Sequence, residues 1–181
     1  DIPLFIDPML IFNSEKNVYK ELHNQIIRYF HFLYMKAEQG LSKKEINAWF
    51  NFSEVPNNWL GYALVGNKGL ALGHKYAKFL YENISFALNT HGISQSQHIE
   101  KAMLLYDGSG KDKISDLTVN LIKGFLCEYT EQFAKEYIQP QFIKLFPVDK
   151  AYFNYDTESF ISKEFALPFV YDEKGIPEYV L

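Results

Sequence analysis

The sequence predicts an α+β fold, mainly α-helical, with a small and incomplete C-terminal β-sheet. Three observations carry that expectation. Apolar residues recur at helical spacing through the part 13–140, the period shifts to alternation in the strand-rich part 148–181, and an apolar run is cut short at Leu181. The chain reads as a single domain over 1–181 or as a fragment of a longer protein, and its start at Asp1 rather than Met favours the fragment.

Residues 1–12 are apolar but interrupted by Pro3 and Pro8, which predicts extended and turn-like chain. Over 15–38, Val18, Leu22, Ile26, Phe30 and Leu33 repeat at helical spacing, with Lys20, Asn24, Arg28 and His31 on the other side, and Gly40 stops the helix. Ser42 and Glu45 form a capping-box pattern opening a short helix through Trp49. Residues 51–69 turn to Asn, Pro and Gly, a loop with one short apolar piece at 62–65.

A third helix is expected over 70–89, and a second capping box at 94–97 opens another through Tyr106. After a turn at 107–111, the clearest helix covers 113–138, with Leu117, Leu121, Phe125, Tyr129, Phe133 and Tyr137 in one inward row and a favourable Glu131–Lys135 pair. Pro140 marks its end. Beyond 148, Ala151, Phe153 and Tyr155 alternate with Tyr152, Asn154 and Asp156, while 165–171 and 176–181 read as further strands around a turn at 172–175.

Composition narrows the function classes. With 48% hydrophobic and 17% aromatic residues the chain has ample apolar surface to bury, which excludes disorder. Eighteen basic against 22 acidic residues, net −4, disfavours a dedicated binder of duplex nucleic acid or of an anionic membrane. The single Cys127 permits no intrachain disulfide and no Cys-based zinc site, and mid-helix beside Leu126 it reads as core packing. A reducing, cytoplasmic setting fits, with no signal peptide and no stretch long enough to span a membrane.

Chemistry concentrates between the fourth and fifth expected helices. The stretch 106–116 is no phosphate-binding Walker loop, because Leu105 and Asp112 stand where Gly and Ser or Thr belong. Nor is it a calcium loop, since Lys111, Asp112 and Thr118 occupy the places of an oxygen ligand, the turn glycine and the bidentate Glu. What remains is a set of carboxylates. Asp112, Asp116, Asn120 and Lys123 follow one helix face at spacings of four, four and three, while Glu100 and Asp107 share a face of the preceding helix. Asp107, Asp112 and Asp116 would serve as ligands of Mg²⁺ or Mn²⁺ with retained waters, Glu100 as a ligand or base, and Lys101 or Lys111 as the electrophile, with His98 carrying a proton. The structural alternative is as direct: Asp112 caps the helix, Asp116 answers its dipole, and Asp107 with two glycines makes a turn.

Weaker candidates are Gly66-Asn67-Lys68-Gly69 before the third helix, a near miss to a phosphate loop, and Trp59, an interface anchor or a lid on the core. His23, His31, His74 and His91 form no i,i+4 pair, and Asp172-Glu173-Lys174 lies in an expected turn rather than on a nuclease strand.

The pattern His98-x-Glu100-Lys101 followed by Asp107-Gly-x-Gly-x-Asp112-x-Ile114-Ser115-Asp116 and Asn120 resembles a group of uncharacterised bacterial proteins, and the similarity extends from 1–8 through Gly61 and Gly66 to the strand at 153–155. In that group the chain continues past Leu181. No activity comes with the resemblance.

Two readings follow. The first is a cytoplasmic domain with a carboxylate-based divalent-metal site and nuclease or other phosphoester hydrolase chemistry. The second is a non-catalytic protein-interaction module of a larger protein, joining a partner, a second copy or the remainder of its own chain. A single-strand nucleic-acid binder using aromatics and lysines is a third, opposed by the net charge.

Overall fold

Asp7 followed by Pro8 sets the first element. The Asp7 carboxylate accepts the amide of Met9 at 2.8 Å, Pro8 fills the first helical position, and a short helix α1 (Pro8–Phe12) results. The expectation of extended and turn-like chain fails over 8–12, because a proline after an Asp cap starts a helix as readily as it interrupts a strand. The structure, a computed structural model, describes residues 5–52, 55–58, 77–78, 80–82 and 111–181. These residues fall into two compact units: residues 5–52, 77–78, 80–82 and 111–118 form one, and residues 55–58 and 119–181 the other.

In the first unit, α2 (Asn17–Glu38) buries Leu22, Ile26, Phe30 and Leu33 as the periodicity predicts, while Lys20 and His31 are exposed on the other side. Val18 departs from the row and is exposed. Two tyrosines join the core instead: Tyr29 and Tyr34 are buried, and the Tyr29 hydroxyl donates to the Trp49 carbonyl at 2.7 Å, so the polar tip is satisfied. Helix α3 (Lys43–Trp49) carries the expected capping box, with the Glu45 carboxylate accepting the Ser42 amide at 2.8 Å. Residues 77, 78 and 80–82 are helical, within the span expected for the third helix, and Tyr81 packs edge-on against Phe50 at 5.6 Å. The rest of that helix, and the whole of the one expected after residue 94, lie outside the described residues.

The long helix α4 (Lys111–Tyr137) begins two residues before its expected start, which puts Asp112 inside the first turn instead of at the cap. Within the first unit the buried Ser115 hydroxyl accepts the Ile6 amide at 2.9 Å, and the Thr118 hydroxyl donates to the Ile114 carbonyl.

The second unit holds the remainder of α4 and a three-stranded antiparallel sheet of order β1 (Ile143–Asn154), β2 (Ser159–Tyr171) and β3 (Pro177–Tyr179). The first strand starts well before 148. Pro147 hides it in the sequence, yet among the described residues β1 pairs on one side only, with β2, and an edge strand tolerates a residue with no amide to give. Asp172 makes the expected turn: its carboxylate accepts the amides of Lys174 and Ile176, and Gly175 takes φ 75°. Cys127 from α4 packs with Val148, Ala151, Phe165 and Leu167, which confirms its reading as a core residue. No helix among the described residues is long and apolar enough to cross a membrane.

Candidate functional site

Of the five residues singled out for metal chemistry, Glu100, Lys101 and Asp107 lie outside the described residues, as do His98, Trp59 and Gly66-Asn67-Lys68-Gly69. Asp112 is placed in the first turn of α4 by its backbone, its side chain being outside what the structure describes. Asp116 stands one turn further on, half-buried, and is not a free carboxylate. Among the described residues no group of three His, Cys, Asp or Glu side chains converges as a metal would require.

Two other features emerge from α4 in the second unit, one facing in and one facing out. The inward face is unexpectedly polar. Asn120 is 5% exposed, and Lys123, at 7%, lies among the core residues of the helix together with Cys127 four residues on. Burial pulls the Lys123 ammonium below the usual lysine range; Lys150 pulls the same way, while Cys127 and Asp149 oppose. Among the described residues no hydrogen bond or ion pair reaches that ammonium. Burial raises the Cys127 thiol to about 12, so it stays protonated and cannot act as a counter-ion or nucleophile near neutrality.

Further along, polar pairs fasten helix to sheet. The Tyr152 hydroxyl donates to Glu128 Oε1 at 2.6 Å, and Lys163 Nζ meets the same oxygen at 3.1 Å. Glu131 accepts the Ala166 amide at 2.8 Å while its other oxygen holds Lys135 at 3.3 Å, the pair expected from spacing. These donors hold both carboxylates below their usual range. Burial, with Glu128 beside it, pushes Tyr152 above its own.

The outward face corrects the sequence reading. Leu117 and Leu121 are buried and Phe125 half-buried, but Tyr129, Phe133 and Tyr137 are 62%, 47% and 65% exposed. The reason is rotation. Residues four apart advance about 40° beyond a full turn, so a row from 117 to 137 winds through about 200° and leaves the core it began in. Every residue from 117 to 124 is buried, and beyond them the buried positions of the helix are Cys127 and Ala134. Phe133 and Tyr137 lie ring to ring at 4.8 Å, Phe125 and Tyr129 at 6.4 Å, and Phe142 and Leu145 beyond the helix are also exposed.

Sequence reasoning puts Lys123 on a face with Asn120 but misses its burial. The signal is its spacing of four from a core cysteine, which sets a lysine on the core side of the helix.

Comparison with curated proteins and with solved structures finds no match. A family model described as "Domain of unknown function (DUF8370)" matches residues 1–177, nearly the whole chain, and the chain belongs to that family.

Proposed function

We propose that this protein is an interaction module whose working surface is the aromatic stripe of α4, and that its partner is a second copy of the same chain, met helix to helix and antiparallel. The observation that carries this reading is the exposure of Tyr129, Phe133 and Tyr137 in one row, because aromatic side chains left in water contribute little to folding and much to association. The order of the row selects the partner. Tyr, Phe, Tyr at equal spacing reads the same in both directions, so a two-fold axis through Phe133 sets Phe133 against itself and Tyr129 against the partner's Tyr137. Polar residues agree with that pairing. Gln132 and Glu136, both exposed, line one side of the stripe. The axis brings Glu136 alongside the partner's Gln132, an amide able to donate to a carboxylate, and leaves the two Glu136 side chains about 9 Å apart along the helix.

A stripe of this size fits a transient dimer, with Kd on the order of 10 µM. Sedimentation equilibrium of the intact chain reads it as a mass that doubles with concentration. Phe133→Lys, which opposes two charges across the axis, leaves a monomer, and its stability in dilute solution changes by only about 0.5 kcal/mol or less because the position faces solvent. Cysteine crosslinking gives the direction. Phe133→Cys joins to itself, whereas Tyr129→Cys joins to Tyr137→Cys in a mixture and not to itself. A chain that stays monomeric to about a hundred times that Kd, a dimer that survives Phe133→Lys, or a Tyr129→Cys variant that crosslinks to itself would overturn the proposal.

A second reading keeps the start of α4 as a chemical centre, with Asp107, Asp112 and Asp116 holding Mg²⁺ or Mn²⁺ for phosphoester hydrolysis and Glu100 and Lys101 assisting. What favours it is Asp116, half-buried and engaged where an exposed helix carboxylate would be solvated. It requires Mn²⁺ to raise the melting temperature and Asp112→Asn with Asp116→Asn to cancel the rise. An unchanged melting temperature with either metal rejects it.

A further inference from the structure

Strand alternation sorts the side chains of β1 and β2 onto two faces of the sheet. Val148, Phe165 and Leu167 turn toward α4 and join the core around Cys127, with Phe146 packed against them. The lysines go the same way: Lys144 lies over the Phe146 ring, and Lys163 lies over the Tyr152 and Phe165 rings while it holds Glu128. The opposite face sets Ile143, Leu145 and Pro147 of β1 against Pro168, Ala166 and Glu164 of β2, and Val170 beyond them against Glu178 of β3. Leu145 is 55% and Val170 46% exposed, Pro147 is exposed, and Ile143, Ala166 and Pro168 are half-buried. Six apolar residues thus lie side by side where a sheet face that meets only water carries polar ones. A carboxylate closes each end of the patch, Glu164 beside Pro147 and Glu178 beside Val170.

The edge and the charges select what this face takes. Among the described residues β1 is an edge strand, but one guarded against strand addition. Pro147 has no amide to give, and further along Asp149, Lys150 and Ala151 together face Ser162 alone. That bulge is held by the Ser162 hydroxyl, which donates to Asp149 Oδ1 at 2.9 Å. What remains is a layer laid across the face, and a helix is the element that packs on a sheet in that way. A second copy does not suit it, because stacking two such faces brings the glutamates of both together with no lysine between them. Beyond Glu164 the bulge adds one charge of each sign, Asp149 and Lys150, and leaves that end negative. From Glu164 to Val170, β2 runs about 20 Å, the length of a helix of about fourteen residues. We infer that the sheet face turned away from α4 docks an amphipathic helix of a partner protein, with an apolar stripe over Leu145, Ala166 and Val170 and Lys or Arg near both ends to meet Glu164 and Glu178.

The surface lies in the second unit and is separate from the aromatic stripe. The probe is an amphipathic peptide of leucine and lysine, about eighteen residues long so that it holds a helix, and its control is the same peptide with glutamate for lysine. Each is titrated into the intact chain and followed by amide NMR. The lysine peptide binds with Kd on the order of 10–100 µM and shifts amides within 143–146 and 164–170, and the glutamate peptide binds about tenfold more weakly or not at all. Glu164→Lys with Glu178→Lys, neither residue being buried, inverts that preference. Leu145→Ser with Val170→Ser, both exposed, weakens the lysine peptide by about tenfold. No binding of the lysine peptide, equal binding of the two, shifts confined to other residues, or a preference unmoved by the double lysine variant overturns the site. So does a fall in sedimentation mass on Leu145→Ser with Val170→Ser, which assigns the face to a second copy.

Discussion

Gly124→Ala is the sharpest test of how α4 meets the sheet. On propensity alone the change favours the helix by about 1 kcal/mol. In place, the new Cβ overlaps the Cε1 and Cζ atoms of Tyr152 and lies 2.7 Å from the Ala151 carbonyl oxygen. The ring cannot swing aside freely, because its hydroxyl is tied to Glu128 at 2.6 Å and Lys163 shares the same carboxylate. The carbonyl belongs to the bulge, which Asp149 and Ser162 clamp. Overpacking of this kind costs about 1–3 kcal/mol. Losing the Tyr152–Glu128 bond, whose acceptor is ionised, costs about 1.5–3 kcal/mol more. Set against the propensity gain, the net is a destabilisation of about 3 kcal/mol, or a fall in melting temperature of about 6–12 °C for a chain of this size. Urea unfolding followed by far-UV circular dichroism reads it directly. A double-mutant cycle with Tyr152→Ala isolates the ring, and in that background Gly124→Ala should cost less by roughly 1 kcal/mol or more. A neutral or stabilised Gly124→Ala would refute the close approach and, with it, the account of the bulge.

Alkaline pH should weaken the second unit. Cys127 and Tyr179 are both raised to about 12 by burial, so above about pH 9 the unfolded chain loses protons that the folded one keeps, and stability falls as pH rises. Lys123, shifted downward, works the other way, its cost easing as pH climbs toward the ordinary lysine range. Cys127→Ala removes one proton from the fall, flattening it by about 1.4 kcal/mol per pH unit between about pH 9 and 11; an unchanged slope in urea melts would count against the buried thiol. In the first unit, Ser42→Ala takes away the hydroxyl that accepts the Glu45 amide and donates to the Glu45 carboxylate. Its melting temperature should drop by roughly 2–4 °C and the Glu45 carboxyl should return toward its ordinary value, readable by carbon NMR; a carboxyl that stays low would mean another group holds it there.

The parts of the fold that are legible in the sequence are those where a local rule acts without competition. The α2 row from Leu22 to Leu33, the capping box at Ser42 and the turn at Asp172 each depend on neighbours a few residues away, and each is found. The errors arise where a long-range condition decides. Pro8 looks like a breaker until Asp7 makes it a helix start, and Pro147 disguises β1 because edge status cannot be seen from a single strand. The outer half of α4 is misread for a geometric reason, since a perfect i,i+4 row cannot stay on one side of a straight helix over five steps. Of the candidate site, the sequence places Asp112, Asp116, Asn120 and Lys123 along one face, but the burial of Asn120 and Lys123 depends on what packs over that face, which no local pattern reveals.

The proposed interface arises where α4 breaks the usual distribution of residues, with aromatics standing outside. That departure has a cost in stability, because Tyr129, Phe133 and Tyr137 forgo burial. The second unit offsets it through the apolar cluster of Cys127, Val148, Ala151, Phe165 and Leu167 and the Glu128–Tyr152–Lys163 link, neither of which involves the departing side chains. Such conflicts between local pattern and global fold are expected to concentrate at functional positions, because folding alone would remove them. Two kinds of substitution are therefore opposite in sign. A change that repairs the pattern, Phe133→Lys, should leave the unit in dilute solution as stable or more so while abolishing self-association. Changes to the supporting contacts, Gly124→Ala among them, should lower stability first and binding only as a consequence. If repairing the pattern instead destabilised the unit, the stripe would be a structural part of the fold, and the protein's function would have to be sought elsewhere on the chain.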